Sequence, residues 1–257
     1  MTKILAVTNQ KGGVGKTTTS INLAASLAKI NQRVLLIDLD PQGNATTGSG
    51  VDKRNLAATV YHVLLGSKTI LEVCVRAEAG KYDVIPANRD LAGAEIELIQ
   101  LDNRETVLKR ALEPVLANYD YILIDCPPAL NLLTLNGLCA ARTVMIPMQC
   151  EYYALEGLSD LVNTIRRVRN NLNPNLEIEG LLRTMFDPRN TLAQQVSDQL
   201  QQHFGNKVYQ TVIPRNVRLA EAPSYGLPAL YHDSLSKGTL AYLALADELL
   251  SKAEQIA

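Results

Sequence analysis

A doubly wound α/β fold, one mainly parallel sheet with helices on both faces, is predicted by three observations. Short apolar runs alternate with segments of helical periodicity along the chain. The runs are rich in Val, Ile and Leu at consecutive positions, as strands covered on both faces require. The first run leads through a glycine-rich turn directly into a helical segment. No internal repeat, low-complexity tract or Pro/Gly/Ser-rich linker breaks the pattern, so residues 1–257 are expected to form a single domain.

In chain order, strands are expected over residues 3–8, 33–38, 82–86, 121–125, 143–147 and 177–185, with a short one near 211–213. Helices are expected over 21–30 and 106–115, after Tyr153, and from about Gly238 to Ile256. Beyond Tyr153, residues Leu155, Leu158, Leu161, Val162, Ile165 and Val168 fall on one stripe, with Arg166, Arg167 and Arg169 off it.

With 47% hydrophobic and 20% charged residues, the chain can fill a substantial core. A formal net charge of −1 means that any nucleic-acid contact must come from a local patch. Cys74, Cys126, Cys139 and Cys150 lack C-x-x-C spacing, which points to reduced thiols in a cytoplasmic setting. Met1-Thr2-Lys3 runs straight into the first strand, so no signal peptide is expected. The most apolar long window, Leu130 to Met148, carries Asn131, Asn136 and Arg142 and is a poor membrane span. His62, His203 and His232 form no metal-ligand pattern.

The glycine-rich turn reads Lys11-Gly12-Gly13-Val14-Gly15-Lys16-Thr17-Thr18. Between a strand and a helix, such a turn aims consecutive backbone N–H groups at one anion, and the helix adds the positive end of its dipole. Lys16 is spaced to reach the outer phosphates of a nucleotide and Thr17 to ligate Mg²⁺. The usual first glycine of this motif is replaced by Gln10, and an extra lysine, Lys11, follows it.

Two further strands deliver carboxylates to the edge where ligands of such folds bind. The second ends in Asp38-Leu39-Asp40-Pro41-Gln42-Gly43, and Asp38 and Asp40 are expected to project on opposite sides and do different jobs. Residues 43–50 are polar and glycine-rich, and are expected to form a flexible switch. Tyr121-Ile122-Leu123-Ile124-Asp125 brings one carboxylate toward a metal shell, and Pro127-Pro128 then fixes the exit toward a second switch. Cys126 is expected to be a small core residue.

These three motifs resemble the deviant Walker-A ATPases of the ParA/MinD superfamily of P-loop proteins. Leu91-Ala-Gly-Ala-Glu-Ile-Glu-Leu98, Gln149-Cys-Glu-Tyr-Tyr-Ala-Leu-Glu-Gly157 and Val212-Ile-Pro-Arg-Asn-Val-Arg-Leu219 narrow the resemblance to ParA/Soj chromosome-partitioning ATPases. It covers essentially the whole chain and begins at the first strand, as in the short chromosomal type without a helix-turn-helix extension.

The resemblance implies ATP and Mg²⁺ as ligands and a weak ATPase activity. It implies a phosphate cradle formed by Lys11, Gly12, Gly13, Val14, Gly15, Lys16, Thr17 and Thr18. Lys11 would reach across an ATP-bound homodimer to the partner's phosphates. Asp40 would orient or deprotonate the attacking water, making Lys11, Lys16 and Asp40 the catalytic set. Thr17 would ligate the metal directly, with Asp38 and Asp125 acting through its water shell. Met185, Pro214 and Asn216 would line the adenine pocket.

By the same resemblance Arg189 and Arg218 would bind double-stranded DNA nonspecifically, and Arg215 lies in the same loop-like region. The implied partner is a ParB-like centromere-binding protein that stimulates hydrolysis, and the implied location is cytoplasmic and nucleoid-associated. One competing reading is a MinD-like membrane-associated division regulator. The C-terminal run, with Asp247, Glu248 and Glu254 against Lys252, lacks the basic amphipathic face that reading needs. The other is an iron–sulfur reductase component, which needs paired thiolates at a dimer axis.

Overall fold

The computed structural model describes residues 2–254. The chain begins β1 (Lys3–Val7), α1 (Lys16–Lys29), β2 (Val34–Asp38), α2 (Asn44–Gly48), α3 (Val60–Leu64) and α4 (Ile70–Val73). It continues through β3 (Val75–Ala77), β4 (Tyr82–Ile85), α5 (Leu91–Leu98), α6 (Val107–Leu112), β5 (Tyr121–Asp125), α7 (Leu132–Ala140) and β6 (Thr143–Met148). It ends with α8 (Ala154–Asn171), β7 (Glu177–Arg183), α9 (Thr191–Phe204), α10 (Val217–Glu221), α11 (Ala229–His232) and α12 (Lys237–Glu254). The expected continuation of the last helix to Ile256 lies outside the described residues.

The strands form one seven-stranded sheet in the order β3-β4-β2-β5-β1-β6-β7. Every pairing is parallel except the edge hairpin of β3 with β4. The chain passes from β1 out to β2 and β4, returns to insert β5 beside β1, and then builds the other side with β6 and β7. The C-terminal ends of β1, β2 and β5 therefore meet where the winding reverses, the place where open sheets bind ligands.

Strand periodicity sorts the core into two layers. Ala6, Leu35, Ile37, Ile122, Ile124, Val144 and Ile146 face one cluster, packed beneath α3 and α5 to α9. Leu5, Val34, Leu36, Tyr121, Leu123 and Met145 face the other, against α1 and α12. On α8, Leu158, Leu161, Ile165 and Val168 are buried, while Arg166, Arg167 and Arg169 are exposed, as their spacing predicts. Tyr242, Leu245, Ala246 and Leu249 of α12 are buried, and Tyr242 Oη and Thr19 Oγ1 are hydrogen-bonded at 3.1 Å. The apolar face of α12 is thus covered by α1. No helix among the described residues is long and apolar enough to cross a membrane.

Four expectations are revised. The helix expected from residue 21 begins at Lys16, because the turn at Gly15 starts it through a run of threonines that propensity disfavours. The strand expected to reach Met185 stops at Arg183, since Met185 takes a left-handed φ of 49°. No strand forms at 211–213: the Arg183 guanidinium donates to the carbonyls of Tyr209 and Gln210, and Glu248 accepts the amides of Gln210 and Thr211. These side chains take the groups a ladder would use. The expected flexible switch at 43–50 is mostly the helix α2, with Ala45, Thr46 and Gly48 buried.

Candidate nucleotide site

The glycine-rich turn lies at the C-terminal end of β1. Gly13 and Gly15 have φ of 73° and 88°, which L side chains rarely adopt. A Cβ added at Gly12 or Gly13 would meet nothing within 4 Å, so the loop presents open backbone on that side. Thr184 closes the other side, its hydroxyl donating to the Val14 carbonyl at 2.7 Å. A backbone cradle followed by a 14-residue helix is suited to an anion.

Lys16 is nearly buried, at 7% exposure, and its Nζ donates to the Lys11 carbonyl at 3.1 Å. Burial pulls its ammonium pKa down, while the Asp125 and Asp40 carboxylates pull it back up. Thr17 Oγ1 donates to Asp125 Oδ2 at 2.8 Å, and Ser20 Oγ to Asp125 Oδ1 at 2.9 Å. Asp125 is fully buried, and burial followed by the charge of Asp38 raises its pKa. This hard-oxygen donor set beside a phosphate cradle fits Mg²⁺.

Asp38 and Asp40 stand in different surroundings, although not because a strand turns them apart. A continuing strand would put residues two apart on the same face. β2 ends at Asp38, and the chain turns. Asp38 is fully buried and accepts from the Asp40 amide at 3.1 Å and from the Thr46 amide and hydroxyl, each at 2.8 Å. Its pKa is raised by burial, partly offset by the Thr46 hydrogen bonds. Asp40 is only half-buried, and its Oδ1 accepts the Gln42 amide at 2.9 Å.

Lys11 stands exposed on the rim, its Nζ paired with Glu151 Oε2 at 2.5 Å. Tyr152 and Tyr153 beside it are 73% and 71% exposed. Met185 and Pro214 come together, because Phe186 bridges to Pro214 and its amide donates to the Ile213 carbonyl. Met185 Sδ accepts from Gln149 Nε2 at 2.8 Å. Asn216 caps α10, its side-chain oxygen accepting from the amides of Arg218 and Leu219.

The three arginines differ in their surroundings. Arg189 is 88% exposed and paired to Asp187, and Arg218 is paired to both Glu221 and Asp233. Arg215 is exposed. Cys126 is buried beneath α7, where a Cβ on Gly137 would sit 2.8 Å from its sulfur, and burial raises its thiol pKa.

Sequence reasoning missed Glu151, Ser20, Thr46 and Thr184. Only Ser20 carried a local signal, lying three residues after Thr17 on the same helix face. The others meet the site through topology alone.

Fold and site together define an α/β nucleotide-binding protein of the phosphate-loop type. A family model described as an AAA domain matches residues 2–178. The sporulation initiation inhibitor protein Soj of Bacillus subtilis (strain 168) is 56% identical over 249 residues, 97% of this chain and 98% of its own length. Chromosome partitioning protein ParA of Caulobacter vibrioides is 53% identical over 252 residues, 97% of this chain and 94% of its own. A crystal structure called cobyrinic acid a,c-diamide synthase from Mycobacterium smegmatis, with bound ADP and magnesium, superposes with a TM-score of 0.88 at 40% identity. That match covers 100% of this chain and 97% of the other. The chain belongs to the ParA/Soj family of chromosome-partitioning ATPases.

Proposed function

We propose that the chain, acting as one unit over residues 1–257, is an Mg²⁺-dependent ATPase of weak intrinsic activity whose nucleotide state switches its hold on DNA. The observation that carries the reading is the convergence of Lys16, Thr17, Asp125 and Asp40 on one phosphate loop. Lys16 and the amides of Gly13 and Gly15 hold the outer phosphates, and the Met185–Pro214 segment with Asn216 receives the base. Bound Mg²⁺ would supply charge neutralisation at the phosphates, with Thr17 as ligand and Asp38 and Asp125 behind its waters. Asp40, whose second oxygen has no hydrogen-bond partner among the described residues, orients the attacking water. The water oxygen bonds to the γ-phosphorus, the bond to the bridging oxygen breaks, ADP leaves with the electron pair, and the proton passes by way of Asp40.

The Lys11 ammonium stands apart from that of Lys16, on the rim beside Glu151, and its exposure supports delivery to a second subunit's phosphates in an ATP-bound homodimer. A cation supplied in trans would complete the site only on dimerisation. The dimer would double the patch of Arg189, Arg215 and Arg218, and phosphate contacts compound steeply in affinity. A ParB-like protein stimulating hydrolysis would then release the DNA of the nucleoid. The cover of α1 over α12 supports this reading over membrane attachment.

The test is a titration of random-sequence duplex DNA with ATP, with ADP and without nucleotide, repeated with Lys11→Ala. Binding restricted to ATP and lost in Lys11→Ala is expected. Equal binding in all three states would overturn the switch.

A further inference from the structure

We propose that Thr46 is a positioning residue for hydrolysis, the buried clamp that fixes the loop carrying Asp40. The proposal rests on the reading of Asp40 as the group that orients water.

Asp40 is held from several sides within a short stretch of chain. Its amide donates to Asp38 Oδ1 at 3.1 Å, its Oδ1 accepts the Gln42 amide at 2.9 Å, and its carbonyl accepts the Gly43 amide at 2.8 Å. The first of these, together with the Leu39 amide donating to the Asp125 carbonyl at 2.9 Å, holds the near end of the loop to β2 and β5; the far end, beyond Gly43, needs an anchor of its own.

That task falls to Thr46, which is 0% exposed. Its amide and its hydroxyl both donate to Asp38 Oδ2 at 2.8 Å, and the hydroxyl oxygen accepts the Ala87 amide at 2.8 Å. One side chain thereby ties α2 to the end of β2 and to the segment after β4. Gly43 sits against the same anchor, where an added Cβ would lie 2.6 Å from the Ala87 carbonyl oxygen. The loop is pinned at Asp38 and at Thr46, with Asp40 between the pins.

The hydroxyl is used both as donor and as acceptor, so an isosteric apolar side chain does not replace it. Thr46→Val keeps the shape but leaves the Ala87 amide without its acceptor and takes one donor from Asp38. The side chain of Thr46 bonds neither the phosphate cradle nor Lys16, and in the valine variant Asp38 keeps the backbone amides of Thr46 and Asp40 as donors. The loss should therefore appear in the hydrolytic step rather than in nucleotide binding, because a misplaced water-orienting group acts only on the transition state.

The experiment uses the full chain with Mg²⁺. Equilibrium binding of a fluorescent ATP analogue is measured beside single-turnover hydrolysis of ATP. Thr46→Val is expected to slow hydrolysis by about tenfold or more while the dissociation constant changes by less than about threefold, and Thr46→Ser is expected to recover most of the rate. In an Asp40→Ala background Thr46→Val should have no further effect on hydrolysis. If Thr46→Val does not fold, judged by its circular dichroism melt, Thr46→Ala against Thr46→Ser reads the same hydroxyl. Unchanged hydrolysis in the valine variant, equal slowing by valine and serine, or loss of binding in step with rate would overturn the clamp. Full hydrolysis by Asp40→Ala alone would instead overturn the reading of Asp40.

Discussion

Asp38 and Asp125 are register partners on the neighbouring parallel strands β2 and β5, and both carboxylates are fully buried. Burial holds both pKa values above the ordinary carboxylate range, and the Asp38 carboxylate raises that of Asp125 further. The folded chain therefore retains protons that the unfolded chain, titrating near about 4, has released. By linkage this pair's contribution to stability is most favourable at low pH and is lost as pH rises toward and through neutrality. In chelator, Asp125→Asn should flatten the fall in Tm across that range relative to the parent. Mg²⁺ should raise the parent's Tm most at the high-pH end, by binding the ionised folded form. Thermal melts with and without chelator check both; superimposable pH profiles for parent and variant would refute the assignment.

This pair also marks how far the site was legible. Asp38 and Asp125 end runs of consecutive apolar residues, and such runs have few other uses than central strands, so both carboxylates could be sent to the same sheet edge. The phosphate loop was legible because its glycines, Lys16 and Thr17 are contiguous. The bond between Thr17 and Asp125 spans 108 residues and that between Lys11 and Glu151 spans 140. Only strand order brings those partners together, and strand order is not written in local periodicity. The edge strand β3 was missed because three residues closing a hairpin through Lys81, at φ 58°, carry almost no alternation. The order of residues 44–48 was missed because Thr46 is held by distant groups that composition does not reveal.

Lys16→Ala should remove ATP binding at concentrations that saturate the parent. A nearly buried ammonium facing phosphates makes charge-assisted hydrogen bonds, each contributing about 1.5–3 kcal/mol, so the dissociation constant should rise by at least about tenfold. The fold should survive, because among the described residues the Lys16 ammonium bonds only the Lys11 carbonyl. Isothermal titration with ATP and Mg²⁺ measures this, and parent-like affinity would contradict the cradle.

Glu151→Gln should favour the ATP-bound dimer. In the single chain Lys11 is tied to Glu151, and a lysine needed by a second subunit must first leave that pair. Both side chains are about half exposed, at 49% and 51%, so the pair holds weakly. Exposed pairs are worth about 0.2–1 kcal/mol, and a homodimer releases two of them, so the dimer dissociation constant should fall by between about twofold and about thirtyfold. Analytical ultracentrifugation with ATP in an Asp40→Ala background, where hydrolysis does not deplete the dimer, resolves a change of that size. A weaker dimer in Glu151→Gln would mean that Glu151 itself contributes across the interface.

The arginines make separable predictions about DNA. Arg218 shares its charge with Glu221 and Asp233, and Arg189 is paired to Asp187, so to bind DNA either would have to exchange carboxylate partners for phosphate oxygens. That exchange lowers the net gain from each contact. Arg215 is exposed and lies three residues before Arg218, outside both of those pairs. Arg215→Ala should therefore weaken binding to random-sequence duplex at least as much as Arg218→Ala, with ATP-dependent dimerisation intact in both. Each lost phosphate contact should also reduce the slope of log affinity against log salt by about 0.9 per arginine, or twice that when the dimer presents both copies. Salt titrations of DNA binding with ATP distinguish the cases. A slope unchanged in Arg215→Ala and reduced in Arg218→Ala would show that the paired arginine, released from Glu221 and Asp233, is the one that meets the backbone.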